Sequence, residues 1–146
     1  MNSSRKTRTS INFGLLILRV VVGITFVMHG WQKFNEWTIS GTTSNFAEMG
    51  APLPEIVAPF AAFTELIGGI ALIVGLFSRI AGLLLAVVMA GSIYFVHAPA
   101  GFFVSDGGFE FVMVLGAAAL AIAFAGQGRI ALGGGLTHRR GLSVFA

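Results

Sequence analysis

The chain has 146 residues, 55% hydrophobic and 10% charged, with a mean hydropathy of +0.87. Soluble domains carry about 25% charged residues, so this composition argues against a water-soluble fold. The absence of cysteine excludes disulfides, thiolate metal sites and a cysteine nucleophile. The net charge of +3 is small and the basic residues gather at the two ends. That pattern suits a membrane protein, and no nucleic-acid partner is expected.

Four apolar spans follow in chain order: Ile11–Trp31, Ile56–Leu76, Ile80–His97 and Phe109–Ala125. A crossing helix needs roughly 20 mostly apolar residues, with about 17 as a lower limit. Apolar residues run round all faces of each span, as lipid contact requires. Strict alternation is missing, which excludes barrel strands. The expected fold class is therefore all-α: an integral membrane four-helix bundle with antiparallel neighbours. Residues 1–10 form a basic amino-terminal segment, 11–125 the membrane domain, and 126–146 a glycine-rich basic tail. Arg5, Lys6 and Arg8 resemble the basic start of a signal peptide. The apolar run is too long for one, and no small-x-small cleavage site follows Met28, so the first helix is expected to be retained.

Arg5, Lys6, Arg8, Arg79, Arg129, Arg139 and Arg140 all fall on one side of a four-span arrangement. The other side holds Lys33 with Glu36, Glu48, Glu55 and Asp106. The positive-inside rule then places both termini in the cytoplasm, in a bacterial cytoplasmic membrane. Trp31, Trp37, Phe102 and Phe103 fall at the outer interface, where amphipathic rings are favoured. In the long outer connection, Thr42-Thr43-Ser44 is expected to cap a short helix through Met49, closed by Gly50. The turn Phe77-Ser78-Arg79 is short enough to force an antiparallel hairpin. Gly82, Ala86 and Ala90, Ala117, Ala121 and Ala125, and the Gly68-Gly69 pair are expected to serve close helix packing.

The informative residues are the ionisable ones inside the spans. A charge at the bilayer centre costs about 2.5–3.5 kcal/mol on insertion scales, so it should face inward and find a partner. Arg19 lies ~12 Å from the start of the first span and Glu65 ~16 Å from the end of the second, at 1.5 Å per residue. These depths predict an Arg19–Glu65 ion pair within the membrane, either a structural clamp or part of a functional path. A second group collects near the outer face. His29 and Lys33 are four apart on one helix face, His97 ends the third span, and Asp106 and Glu110 precede the fourth. Together they form a candidate polar pocket that concentrates proton carriers at one depth. Two histidines could ligate a b-type haem, and a histidine–glutamate metal site is chemically allowed. Nothing else in the chain signals either, and no metal is expected.

His29-Gly30-x-x-Lys33, Glu65-x-x-Gly68-Gly69 with Leu76-x-x-Arg79, His97-x3-Gly101-Phe102-Phe103 and Gly107-Gly108-Phe109-Glu110-Phe111 resemble, in order and spacing, the DoxX family of small bacterial membrane proteins. The resemblance covers about residues 11–132. It implies a four-helix membrane protein. The name-giving relatives are subunits of a thiosulfate:quinone oxidoreductase, and other members are linked to thiol and oxidative-stress defence.

Three functions stay open at this point. One is a subunit of a membrane redox complex exchanging electrons or protons with the quinone pool, its outer pocket binding a quinone head or a small sulfur substrate, with His29 and His97 handling protons. No cofactor motif is evident, quinone is the one cofactor implied, and such a chain needs partner subunits. The second is a carrier or binding protein for a lipid-like or small polar molecule. The third is a scaffold that places soluble partners at the membrane. Membrane lipid and further subunits are the expected partners, with homo-oligomerisation open.

Overall fold

The computed structural model describes residues 2–132, with side chains from Thr7 onward. Of the expected glycine-rich tail at 126–146, residues 133–146, with Arg139 and Arg140, lie outside the described residues, as do the side chains of Arg5 and Lys6. Among the described residues every regular element is helical. Helix α1 spans Asn2–Asn35, α2 Thr38–Glu48, α3 Pro54–Val74, α4 Ser78–Ser92 and α5 Glu110–Ala125. A π-helical turn, Ile93–His97, and a 3-10 turn, Ala98–Ala100, continue α4 without a break, and a second 3-10 turn covers Val104–Asp106.

Three of these segments are long and apolar enough to cross a membrane: Thr7–Asn35, Pro54–Val74 and Ser78–Ala100. The expected fourth span falls short of that length, because α5 has 16 residues. At 1.5 Å per residue it measures ~24 Å, against a hydrocarbon core of about 30 Å. The first helix exceeds its predicted span at both ends. No glycine or proline interrupts it before Gly14, and polar Asn2–Ser10 still tolerates helical backbone.

Neighbours run antiparallel, as the side-chain register shows. Gly30 packs on Leu66, Gly23 on Gly69 and Ile73, so α1 and α3 descend past each other. Gly68, on the other side of α3, receives Leu85 of α4. Gly82 of α4 lies against Ala119 and Ala123 of α5, and Met89 against Gly116. The core is small: Phe26, Leu72, Leu85, Ala119 and Ile122 are fully buried between these contacts. Ile17, Val21, Ile24 and Met28 of α1 face outward, which suits a lipid surroundings. Lipid tails are as apolar as leucine, so close backbone approach through glycine is what holds such helices together.

The expected small-residue faces need one correction. Gly82 and Ala86 are buried, but Ala90 is exposed, as are Ala117, Ala121 and Ala125. Helix α5 packs instead through Val112, Leu115, Ala119 and Ile122. Both stripes of α5 recur with helical spacing, and its uniform apolarity hides which one faces in. The short helix α2 begins four residues earlier than expected. Thr42, Thr43 and Ser44 do not cap it; their hydroxyls donate to the carbonyls of Thr38, Ile39 and Ser40, one turn back. Such back-bonding lets a run of hydroxyl residues stay helical.

The bundle has two distinct ends. At one, Gly75 ends α3 in the left-handed conformation and Phe77, also left-handed, leads into α4. The segment after α5 returns to this hairpin end. Leu132 donates its N–H to the Val74 carbonyl (3.1 Å), and Arg129 donates its N–H to Asn12 Oδ1 (2.9 Å). Arg79 Nη1 donates to the Phe124 carbonyl (3.1 Å). That places a cation at the negative C-terminus of α5. At the other end, α2 packs beside the first turns of α3.

A methyl group on Gly69 would meet the Gly23 carbonyl at 2.7 Å and the Val27 N–H at 2.8 Å, both backbone atoms. One on Gly14 meets nothing within 4 Å. Gly69→Ala is therefore expected to lower stability by about 1–3 kcal/mol, read as a fall in Tm in detergent. Gly14→Ala is expected to leave Tm unchanged or raise it slightly. Equal Tm values for the two variants would contradict the α1–α3 contact.

Candidate functional site

A cavity of about 680 Å³ opens at the α2 end of the bundle. Ligand pockets typically measure about 300–1,000 Å³ and are mostly apolar, with a few placed polar groups. The walls come from the last turns of α1, from α2, from α3, from the end of α4 and from the first turns of α5. Most are apolar, among them Phe95, Val96, Phe111 and Leu115. The ionisable residues on the wall are His29, Lys33, Glu65 and His97.

Lys33 and Glu65 are the centre of the polar part. Lys33 Nζ donates to Glu65 Oε2 at 2.6 Å, and both side chains are buried. It is the one ion pair between side chains of the described residues. The helices bring it about directly. Gly30 rests on Leu66, so Lys33 lies less than one turn beyond the level of Glu65. Side chains lean toward the N-terminus of their own helix. In antiparallel helices the lysine therefore leans down toward Glu65 while the glutamate leans up. The ammonium also lies 5.9 Å from the centre of the Trp37 ring, within cation–π range. Thr42, fully buried, holds α2 over the pair: its Oγ1 stands 3.4 Å from the Lys33 carbonyl.

The expected Arg19–Glu65 pair is not formed. Lys33 is 14 residues from Arg19, or ~21 Å along α1, and Glu65 sits at the Lys33 level. Arg19 lies instead at the hairpin end. Its Nη2 donates to the Ile130 carbonyl at 2.6 Å, and a side chain on Gly75 would collide with its guanidinium. Arg19 thus fills the space at the C-terminus of α3, where the helix dipole favours a cation. The depth estimate failed because it set Ile11 level with the end of α3, whereas Gly23 lies against Ile73 and Ile11 is therefore about three turns beyond that end, at 3.6 residues per turn.

Of the other expected pocket residues, Asp106 and Glu110 are absent from the cavity wall. Asp106 is exposed in the 3-10 turn, with Ser105 Oγ donating to its carboxylate at 3.4 Å. Glu110 opens α5, where its N–H donates to the Phe102 carbonyl at 2.8 Å. An acidic residue in a first helical turn is favoured by the dipole, which accounts for it without the pocket. His29 lines the cavity near Phe111, ring centres 6.4 Å apart. His97 ends the π-helical turn, and its Nδ1 lies 2.7 Å from the Gly107 carbonyl oxygen. Single π turns occur often at functional sites. Trp37, Thr42 and Asn45 also reach the wall; their part depends on how α2 folds back, which no spacing in the sequence displays. No group of three or more histidine, cysteine, aspartate or glutamate residues that could hold a metal occurs among the described residues.

Long apolar helices meeting through glycine, with a charge pair sealed between them, define an integral membrane protein. The chain belongs to the DoxX family, whose model matches residues 14–98, more than half its length. It is 37% identical over 113 residues to a Bacillus subtilis protein named "Putative oxidoreductase CatD", covering 77% of this chain and 81% of that one. It is 36% identical over 135 residues to an uncharacterized protein of Haemophilus influenzae, covering 90% and 95% of the two chains. A shorter match, 34% over 65 residues, links it to "Inner membrane protein YphA" of Escherichia coli, covering 44% and 45%. No solved structure matches the chain.

Breaking a buried pair by removing one partner typically costs about 3–5 kcal/mol, whereas replacing both with apolar groups is often neutral. Lys33→Met and Glu65→Leu are each expected to lower Tm in detergent strongly, and the double variant is expected to recover most of the loss. Combining Arg19→Leu with Glu65→Leu is expected to give additive effects. Additive losses for Lys33 and Glu65, or recovery for Arg19 and Glu65, would contradict the pairing.

Proposed function

We propose that this protein binds the head group of a membrane quinone and serves as a membrane subunit of an oxidoreductase complex in the bacterial cytoplasmic membrane. The observation that carries this reading is the apolar cavity whose wall holds His29, Lys33, Glu65 and His97. A quinone head is flat, apolar and edged with oxygen atoms. Apolar walls suit its ring, and the Lys33 ammonium keeps N–H donors beyond the one given to Glu65. His29 and His97 can carry protons at the depth of the ring. The quinone supplies the electron chemistry when bound. The chain's own residues bind and orient it, exclude water and hold protons. A relative's name, "Putative oxidoreductase CatD", agrees with this class of activity. Without cysteine the chain has no thiol to exchange electrons with a sulfur substrate, so a partner subunit completes the reaction.

In this reading α5 is a fourth span and both termini are cytoplasmic. Helix α5 packs along α4 from Met89 to Gly82, beside a helix long enough to cross, which supports this reading. Its shortness is accommodated by local thinning of the bilayer. Arg8, Arg79 and Arg129 share the hairpin end, which the positive-inside rule assigns to the cytoplasm. A reporter active only outside the cytoplasm should work when inserted after Gly50 and fail when fused after Ala146; activity at Ala146 would overturn the arrangement.

Ligand binding is tested with decyl-benzoquinone, oxidised and reduced, added to the full chain in mild detergent. Trp37 lines the cavity, so quenching of its fluorescence reports occupancy. Saturable quenching is expected with at least one redox form. Gly91 also lines the cavity, and a side chain there meets nothing within 4 Å. Gly91→Phe is expected to fill the space and abolish saturable quenching while Tm stays near the wild-type value. No saturable quenching in the wild type would contradict the proposed function.

A further inference from the structure

His97 imposes a direction on whatever the cavity holds. Its Nδ1 lies 2.7 Å from the Gly107 carbonyl oxygen. A carbonyl oxygen only accepts, so Nδ1 carries the proton. In the neutral ring Nε2 is then left with a lone pair. Among the described residues no hydrogen bond reaches Nε2. The ring is tied to the loop through Gly107, whose φ of 84° is one that glycine adopts without strain. His97 also ends the π-helical turn that carries Phe95 and Val96 to the same wall.

The cavity therefore offers an acceptor at His97 and a donor at Lys33 in a mostly apolar wall. Of its other ionisable groups, Glu65 is engaged by Lys33 and His29 lies beside Phe111. A quinone carries two carbonyl oxygens, which only accept. One of them facing Nε2 would set lone pair against lone pair. A hydroquinone carries two hydroxyl groups, each a donor and an acceptor. One O–H can donate to Nε2 of His97, and a hydroxyl oxygen can accept from Lys33 Nζ. We infer that the cavity selects the reduced, hydroxyl-bearing member of the quinone couple, through an O–H···N hydrogen bond to Nε2 of His97. This rests on the cavity taking a quinone-type head, and it adds which redox form is held and by which atom.

The test uses the full chain in mild detergent and three probes: decyl-benzohydroquinone kept reduced, decyl-benzoquinone, and the dimethyl ether of the hydroquinone. The ether keeps the ring and tail but has no O–H. Dissociation constants are measured by calorimetry. The hydroquinone is expected to bind about tenfold more tightly than either other probe, the worth of one hydrogen bond to an otherwise unpaired acceptor. In His97→Phe, which keeps an aromatic ring and removes the acceptor, the preference for hydroquinone over its ether is expected to disappear. If the wild type binds the ether or the quinone as tightly as the hydroquinone, the inference falls while the quinone site stands. If none of the three binds, the site itself falls with it. The wild-type comparison decides the matter even if the variant does not fold.

Discussion

A lysine–glutamate pair closed between two apolar helices governs the rest of this structure. Each charge alone would be costly in hydrocarbon. Together, at 2.6 Å, Lys33 and Glu65 fix where α1 stops against α3. A slip of one turn along either helix would leave both charges unpaired. The glycines act on the same register: Gly23 and Gly69 let the two backbones approach, and Gly30 accepts Leu66. The pair also organises what lies above it. Trp37 stands near the ammonium, and Thr42 reaches the Lys33 carbonyl, so α2 folds back over the end of α1. The space left between that lid, α4 and α5 is the cavity.

Most of the architecture is legible in the sequence because lipid imposes a strong pattern. Helices are the one way to satisfy the backbone across unbroken apolar runs. The α3–α4 hairpin follows from the shortness of the turn between two such runs. What stays hidden is register. Composition says that Arg19, Lys33 and Glu65 need partners; it does not say how far one helix slides past another. Choosing Ile11 as the edge of the first span misplaced Arg19 by several turns. The glycines held the missing information: setting Gly23 against Gly69 brings Lys33, and not Arg19, into reach of Glu65. The inward face of α5 was equally obscure, since Ala117, Ala121 and Ala125 carry the same spacing as the buried set.

The candidate site was legible in part for a related reason. His29, Lys33 and His97 end up on the cavity wall because residues at the same end of antiparallel helices share a depth. Asp106 and Glu110 share that depth as well, but they belong to a loop and a helix start that turn away from the space. Depth is a one-dimensional quantity, and facing direction is not contained in it. The π-helical turn shows the same limit. It ends at His97, and nothing in Ile93–His97 marks a departure from α-helical spacing. Function inherits this division: the membrane class follows from composition, whereas the ligand follows from which polar atoms face one another across the cavity.

The central claim is the Lys33–Glu65 contact between α1 and α3. It is open to direct measurement by solid-state NMR on the full chain in lipid bilayers, with 15N at lysine and arginine side chains and 13C at glutamate carboxyls. The account predicts strong dipolar coupling between Lys33 Nζ and Glu65 Cδ, corresponding to a separation within about 4 Å, the limit of an ion pair. Absence of that coupling, with a coupling from the Arg19 guanidinium to Glu65 in its place, would contradict it.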